Sequence, residues 1–174
     1  MARTVYVVLL SAGLLTLVAG GVSAATLRGT PGPDEMKGGG GSDRLLGAAG
    51  RDTLDGGGGD DVLKGQNGED VLFDRKGNDV AWGGRGEDTF GGNPGADDLL
   101  GGPGDDLLLD DEGRDRFFGG EGDDAIAVPG FGPGPPGLAT DPDYIKCGPG
   151  NDSVVAHRRD EVAGDCEEVD RLRR

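Results

Sequence analysis

Residues 56–73 read GGGGDDVLK GQNGEDVLF, two nine-residue units that superimpose without a gap. Extending that register outward gives a period of nine from Gly29 to Ala127: GTPGPDEMK, GGGGSDRLL, GAAGRDTLD, GGGGDDVLK, GQNGEDVLF, DRKGNDVAW, GGRGEDTFG, GNPGADDLL, GGPGDDLLL, DDEGRDRFF and GGEGDDAIA, eleven units in a row. Position four is always Gly and position six always Asp, while position one is Gly in nine units, with Asp74 and Asp110 as the departures. Position eight is apolar throughout: Met36, Leu45, Leu54, Leu63, Leu72, Ala81, Phe90, Leu99, Leu108, Phe117 and Ile126. Chance does not keep these positions in phase over 99 residues, so the chain is a repeat architecture. A period of nine excludes collagen, which needs Gly at every third residue.

Composition explains why such a chain needs help to fold. Of 174 residues, 38 are Gly and 10 are Pro, which disfavours regular helix. From Thr26 onward Leu, Ile, Val and Phe number 28 in 149 residues, a level at which a strongly charged chain is expected to be disordered unless another source of binding energy orders it. Asp and Glu total 33 against 17 Lys and Arg, for a formal charge of −16, and 25 of the acids are Asp. Such a surface repels nucleic acid and attracts cations.

The repeat has a readable chemistry. Glycines at positions one to five let the backbone take positive φ and turn carbonyl oxygens toward one point with no Cβ in the way. The Asp at position six adds a carboxylate at the same place, and carbonyl plus carboxylate oxygen is the donor set of Ca²⁺, which takes about six to eight such ligands. Positions seven to nine are expected to form a very short strand with only position eight facing inward, one core side chain in nine.

The nonapeptide resembles the GGxGxDxUx repeat of the RTX (haemolysin-type) calcium-binding proteins, over about two-thirds of the chain beyond residue 25. The resemblance implies an all-β fold, a parallel β-roll in which two nonapeptides make one coil, each turn lies over the turn two units earlier, and Ca²⁺ sits between them. One implied metal column is Asp34, Asp52, Asp70, Asp88, Asp106 and Asp124, and the other is Asp43, Asp61, Asp79, Asp97 and Asp115. Six stacked turns and five stacked turns enclose at most nine gaps, and nine Ca²⁺ would nearly balance the formal −16. Folding on calcium is the expected consequence, with Mg²⁺ a poor substitute because its smaller shell demands stricter geometry.

Four segments follow. Residues 1–25, MARTVYVVLLSAGLLTLVAGGVSAA, carry one Arg, an apolar run and a small-residue end, the pattern of a cleaved secretory signal, with an uncleaved anchor as the alternative. Residues 26–127 hold the repeats, and 128–146 form a linker or excursion rich in Pro and Gly. Residues 147–174 contain one more repeat-like stretch, CGPGNDSV, with Asp152 in the ligand place and Val154 in the core place, followed by a tail. That tail resembles the C-terminal segments of secreted actinobacterial repeat proteins of this type. A polar cap on the end of the solenoid is its expected role, with Arg158, Arg159, Arg171, Arg173 and Arg174 outward; pairing of these arginines with acidic repeats or an anionic surface is the alternative. A secreted, extracellular location implies oxidising conditions, and Cys147 and Cys166, the two cysteines present, are expected to form one disulfide rather than two free thiols.

An enzyme is not expected. Beyond residue 25 the chain holds Ser42 and Ser153 as its serines and His157 as its histidine, and its Asp pairs are used by the repeat itself. Toxins, proteases and lipases with such repeats carry their activity in separate large domains, for which these residues leave no room. The leading expectation is a secreted calcium-binding roll with a structural or surface-interaction role and no membrane partner after signal cleavage. The alternative is an adhesion or glycan-binding module in which outward positions seven and nine meet an extracellular surface. Trp82 at position nine is expected to cover neighbouring strands, and Asp60, Asp105 and Asp123 at position five to face solvent.

Overall fold

The computed structural model describes residues 8–11, 14–18, 24–92, 94–110, 112–128 and 142–172. Most of the leader and the Pro/Gly-rich stretch 129–141 lie outside the described residues. Every regular element among them is a strand: β1 (Val8–Ser11), β2 (Leu14–Val18), β3 (Thr26–Arg28), β4 (Asp34–Gly39), β5 (Arg44–Ala49), β6 (Thr53–Gly58), β7 (Val62–Asn67), β8 (Val71–Lys76), β9 (Val80–Arg85), β10 (Thr89–Gly91), β11 (Asp98–Pro103), β12 (Leu107–Leu109), β13 (Arg116–Glu121), β14 (Ala125–Ala127), β15 (Tyr144–Lys146), β16 (Ser153–Ala156), β17 (Glu161–Val162) and β18 (Glu168–Arg171).

Successive strands alternate between two sheets. The even strands from β2 to β18 form one, with β1 at its edge, and the odd strands from β3 to β17 form the other. Apart from the antiparallel β1–β2 pair, every pairing is parallel. Leu54 pairs with Leu72 and Leu63 with Ala81, so each strand lies beside the one two units further on, and two nonapeptides make one coil of a parallel β-roll.

The strands are longer than the sequence led us to expect. β6, β7, β8 and β9 each span six residues, covering positions seven to nine and then one to three of the next unit. The glycine-rich half therefore joins the ladder instead of serving wholly as a turn; Gly57, for example, pairs with Arg75. The two-residue pleat then turns positions six, eight and one inward together. This corrects the expectation of one inward side chain in nine: Asp, an apolar residue and Gly share the inner face. The apolar members make one continuous core, from Leu27 through Met36, Leu63, Phe90 and Phe117 to Ile145 and Val154.

Position four is glycine because two requirements meet there. Gly86 has φ of +123°, and a Cβ on it would run into the Gly68 carbonyl of the preceding coil. Position two also takes positive φ, and a Cβ on Gly57 or Gly84 would likewise meet a carbonyl of the preceding coil, yet Ala48, Gln66 and Arg75 occupy it at φ of 93°, 86° and 80°.

The roll extends beyond the eleven units at both ends. At the start, β3 pairs with β5 and Ala25 occupies position six. At the other end, β15 pairs with β13 and β16 with β14 after a longer step, in which Asp115 meets Asp143 and Asp124 meets Asp152. The coil thus absorbs ten extra residues and resumes its register at Asp143, inside the segment that the sequence reading assigned to a linker. Val128, at the near edge of that segment, is buried and donates its N–H to the Val155 carbonyl. β17 and β18 continue both sheets, and Cys147 and Cys166 are joined in a disulfide with Cα atoms 5.2 Å apart. In the leader, β2 lies against β4 with Leu17 opposite Met36.

Candidate metal centre

All eleven position-six carboxylates lie on the inner face, each with 3 % exposure or less. They stack in the two columns that a coil of two nonapeptides requires, tied by one repeated hydrogen bond. The main-chain N–H of Asp34 donates to Oδ1 of Asp52 at 2.8 Å, Asp52 to Asp70 at 2.8 Å, Asp70 to Asp88 at 2.8 Å and Asp88 to Asp106 at 2.8 Å. In the other column Asp43 donates to Asp61 at 2.6 Å, Asp61 to Asp79 at 2.6 Å, Asp79 to Asp97 at 2.7 Å and Asp97 to Asp115 at 2.9 Å.

Each column then continues across the insertion. Asp115 donates to Asp143 and Asp124 to Asp152, both at 2.8 Å. Asp143 was not identified from sequence because no glycine-rich turn precedes it; its signal is the tetrapeptide Asp143-Tyr144-Ile145-Lys146, which matches positions six to nine.

One oxygen of each carboxylate is used in this way, and the other is not. Oδ2 of Asp43, Asp52, Asp61, Asp70, Asp79, Asp88, Asp97, Asp106, Asp124 and Asp152 is buried without a hydrogen-bond partner. An ionised oxygen in that position is strongly destabilising unless something positive meets it. These oxygens converge on the Cβ-free space at position one. A Cβ on Gly47 would overlap Oδ2 of Asp52 and come within 2.6 Å of the Gly65 carbonyl oxygen one coil on, and one on Gly65 would overlap Oδ2 of Asp70 and come within 2.7 Å of the Gly83 carbonyl. Glycine at position one thus keeps open a space walled by carboxylate and carbonyl oxygen.

Burial, reinforced by the like charge one coil away, pushes the carboxyls of Asp52, Asp61, Asp79, Asp88 and Asp106 up to about 7, against the lowering effect of the N–H bond each accepts. Asp97 and Asp124 are pushed to about 6. Asp115 rises to about 9, from burial first and then the charge of Asp110. Burial thus favours the protonated carboxyl in these columns, and a bound cation would compete with those protons.

The residues present fit a hard divalent cation. Unpartnered carboxylate oxygen, main-chain carbonyls and a cradle without a Cβ form an all-oxygen donor set with no nitrogen or sulfur, which suits Ca²⁺. The position-six Oδ2 atoms and position-one carbonyls of successive coils are the groups that would hold it.

Position five behaves differently from position six. Asp60, Asp105 and Asp123 are exposed and form an outer ladder of opposite sense, in which Asn78 donates its N–H to Asp60 and Asp123 to Asp105, each at 2.9 Å. Lys64 places its ammonium 4.0 Å from the Trp82 ring centroid, so that ring is covered from the outside by its neighbour one coil back.

Fold and site together define a parallel β-solenoid whose inner face carries two ladders of buried carboxylates open to cations. A sequence model of the RTX calcium-binding nonapeptide repeat, which spans four copies, matches residues 20–54, 28–63, 55–90, 64–99 and 91–126. These matches cover more than half of the chain, and it belongs to that family. No curated protein matches it.

Proposed function

We propose that the protein is a secreted calcium-binding repeat protein whose roll folds on Ca²⁺ and serves a structural or surface-interaction role without catalysis. The row of buried, unpartnered Oδ2 atoms carries this reading, because among the described residues no donor answers their charge along the columns. Secretion is supported by the leader, with its apolar run ending in Val22-Ser23-Ala24, and by the disulfide, which suits an oxidising compartment. Nine inter-coil gaps in the main array set the ceiling on calcium there. Far-UV circular dichroism across a calcium titration is the test: strand signal should grow with Ca²⁺ and very little with Mg²⁺, and a signal already complete in excess chelator overturns the reading.

One observation favours a second reading, an adhesion or glycan-binding module. Register aligns Leu46, Lys64, Trp82, Leu100 and Phe118 at position nine of the odd sheet, Leu46 buried and the other four half-buried. Lys64 covers the Trp82 ring, and Leu100 and Phe118 beside it leave an apolar and aromatic patch of the kind that suits the flat faces of sugars. A glycan array probed with and without calcium separates the two, since only a module of this second class binds defined glycans.

A further inference from the structure

Two residues break the glycine rule at position one, Asp74 and Asp110. The sequence presents them as departures from the repeat, with a turn less free at Asp74. The structure turns both inward, each with 2 % exposure. Asp74 brings a carboxylate oxygen together with those of Asp79 and Asp97, all within 4.8 Å of one another, and Asp110 does the same with Asp97 and Asp115. Asp97 belongs to both groups, so five carboxylates form two linked clusters on consecutive coils.

The packing around them is specific. Gly92 is the position-one residue that stands between Asp74 and Asp110 in the stack, and a Cβ on it would overlap the Asp110 carboxylate. The order Asp, Gly, Asp therefore leaves room for the carboxylate of Asp110. A second observation points to a ligand. Oδ1 of Asp79 accepts the N–H of Asp61 and Oδ1 of Asp97 that of Asp79, whereas Oδ2 of each, in a residue 1 % exposed, is buried with no hydrogen-bond partner. Three carboxylates at this spacing and burial repel one another unless a cation or shared protons intervene.

Resting on the calcium reading above, we propose that these clusters are a pair of cation sites distinct from the other inter-coil gaps, with Asp74 and Asp110 as added ligands and Asp97 as the bridge. They bind Ca²⁺ more tightly than the remaining sites and fill first. The number of charged ligands is one of the principal factors that set calcium affinity, and each cluster has one carboxylate more than the repeat alone supplies. Filling them first pins β8 to β13, the middle of the roll, before either end.

Calorimetric titration of the full chain with Ca²⁺ tests this, with Asp74→Gly, Asp110→Gly and the double variant. Glycine occupies position one in the other nine units, so these changes restore the repeat's own residue. The wild type should show two ions bound at least tenfold more tightly than the rest. Each single variant should lose one of them, and the double variant both, while the weaker phase and the calcium-induced strand signal persist. Asp74→Asn with Asp110→Asn, which keeps side-chain volume and removes charge, should act as the glycine double does. A wild type with one class of equivalent sites, or a double variant that retains the tight phase, overturns the proposal and leaves the calcium reading standing. A wild type that takes up no calcium overturns both.

Discussion

The central coils and the C-terminal coils are built on the same ladder and finish it in different ways. In the centre, Oδ1 of Asp61, Asp79 or Asp88 accepts one main-chain N–H and Oδ2 has no donor. At the C-terminal end, Asp160 accepts the N–H of Asp143 on Oδ1 at 3.3 Å and that of His157 on Oδ2 at 2.5 Å, so both its oxygens are engaged. Arg171 donates to the carbonyls of His157 and Asp160 at 2.6 and 3.0 Å, Glu167 receives the N–H of Asp152 at 2.9 Å, and the disulfide ties Cys147 to the loop before β18. The chain's own donors thus complete the rung at Asp160, and Thr30 does the same for Asp34 at the other end of the array. The middle rungs, with a coil on either side, keep one carboxylate oxygen without a donor.

Chelation should separate the two regions most strongly. With calcium removed at neutral pH, most of the far-UV strand signal is expected to disappear, and hydrogen exchange should show residues 34–127 losing protection further than residues 142–172. Parallel loss in both regions at the same calcium level breaks the comparison. A smaller effect is expected from single rungs. Asp79→Ala, in mid-column, removes ligands from two gaps and leaves the buried N–H of Asp61 unpaired, the latter alone costing about 1–3 kcal/mol. Asp34→Ala, at the column end, touches one gap, and its Oδ2 already accepts the Thr30 N–H at 2.5 Å. Calorimetric stoichiometry and denaturation in calcium should rank Asp79→Ala well below Asp34→Ala; equal losses argue against sites shared between successive coils.

Reduction of the Cys147–Cys166 bond sharpens the comparison from the other side. It closes a loop of about 20 residues, for which the chain-entropy model gives about 3 kcal/mol, and its loss should loosen residues 142–172 while leaving the calcium-dependent strand signal largely intact. Exchange measured with and without reductant reads this directly, and the same loosening in the central coils counts against it.

The smallest expected effect is that of pH. The folded carboxyls of Asp52 and Asp79 sit at about 7, above their ordinary 3.8, so between those values the folded chain holds protons that the unfolded chain releases. Stability of the calcium-free roll therefore falls as pH rises through that window and is greatest below it. Calcium, competing with those protons, should bind more weakly at pH 6 than at pH 8 and release protons on binding. Titrations in buffers of different ionisation enthalpy measure the release, and none at pH 6 refutes it.

The period of nine and the apolar position eight were legible because they recur in phase, as in Leu54, Leu63 and Leu72, whereas the stacking of every second unit was legible only through the family resemblance. Other features were hidden for physical reasons. Whether Asp52 points out of a turn or into the core depends on where the strand begins, and glycines carry no pattern of inside and outside to locate that boundary. Once the strand is seen to run through position one, Asp74 changes from a defect into a buried carboxylate. The rungs at Ala25, Asp143 and Asp160 were missed because each lacks the glycine turn, or the Asp itself, that marks the others. The pairing of Cys147 with Cys166 was legible from their number, whereas the ten-residue excursion that precedes the resumed register was legible only as a break.

The repeated bond between Asp N–H and the carboxylate one coil away runs along the long axis of the roll, and this has a mechanical consequence. Tension applied between residues 24 and 172 loads the interfaces between coils in series, so the structure should open one coil at a time from a weak end. Each opening frees two nonapeptides, roughly 60 Å of extended chain. If calcium fills the columns as proposed, the peeling force should rise with its concentration and be greatest at Asp97.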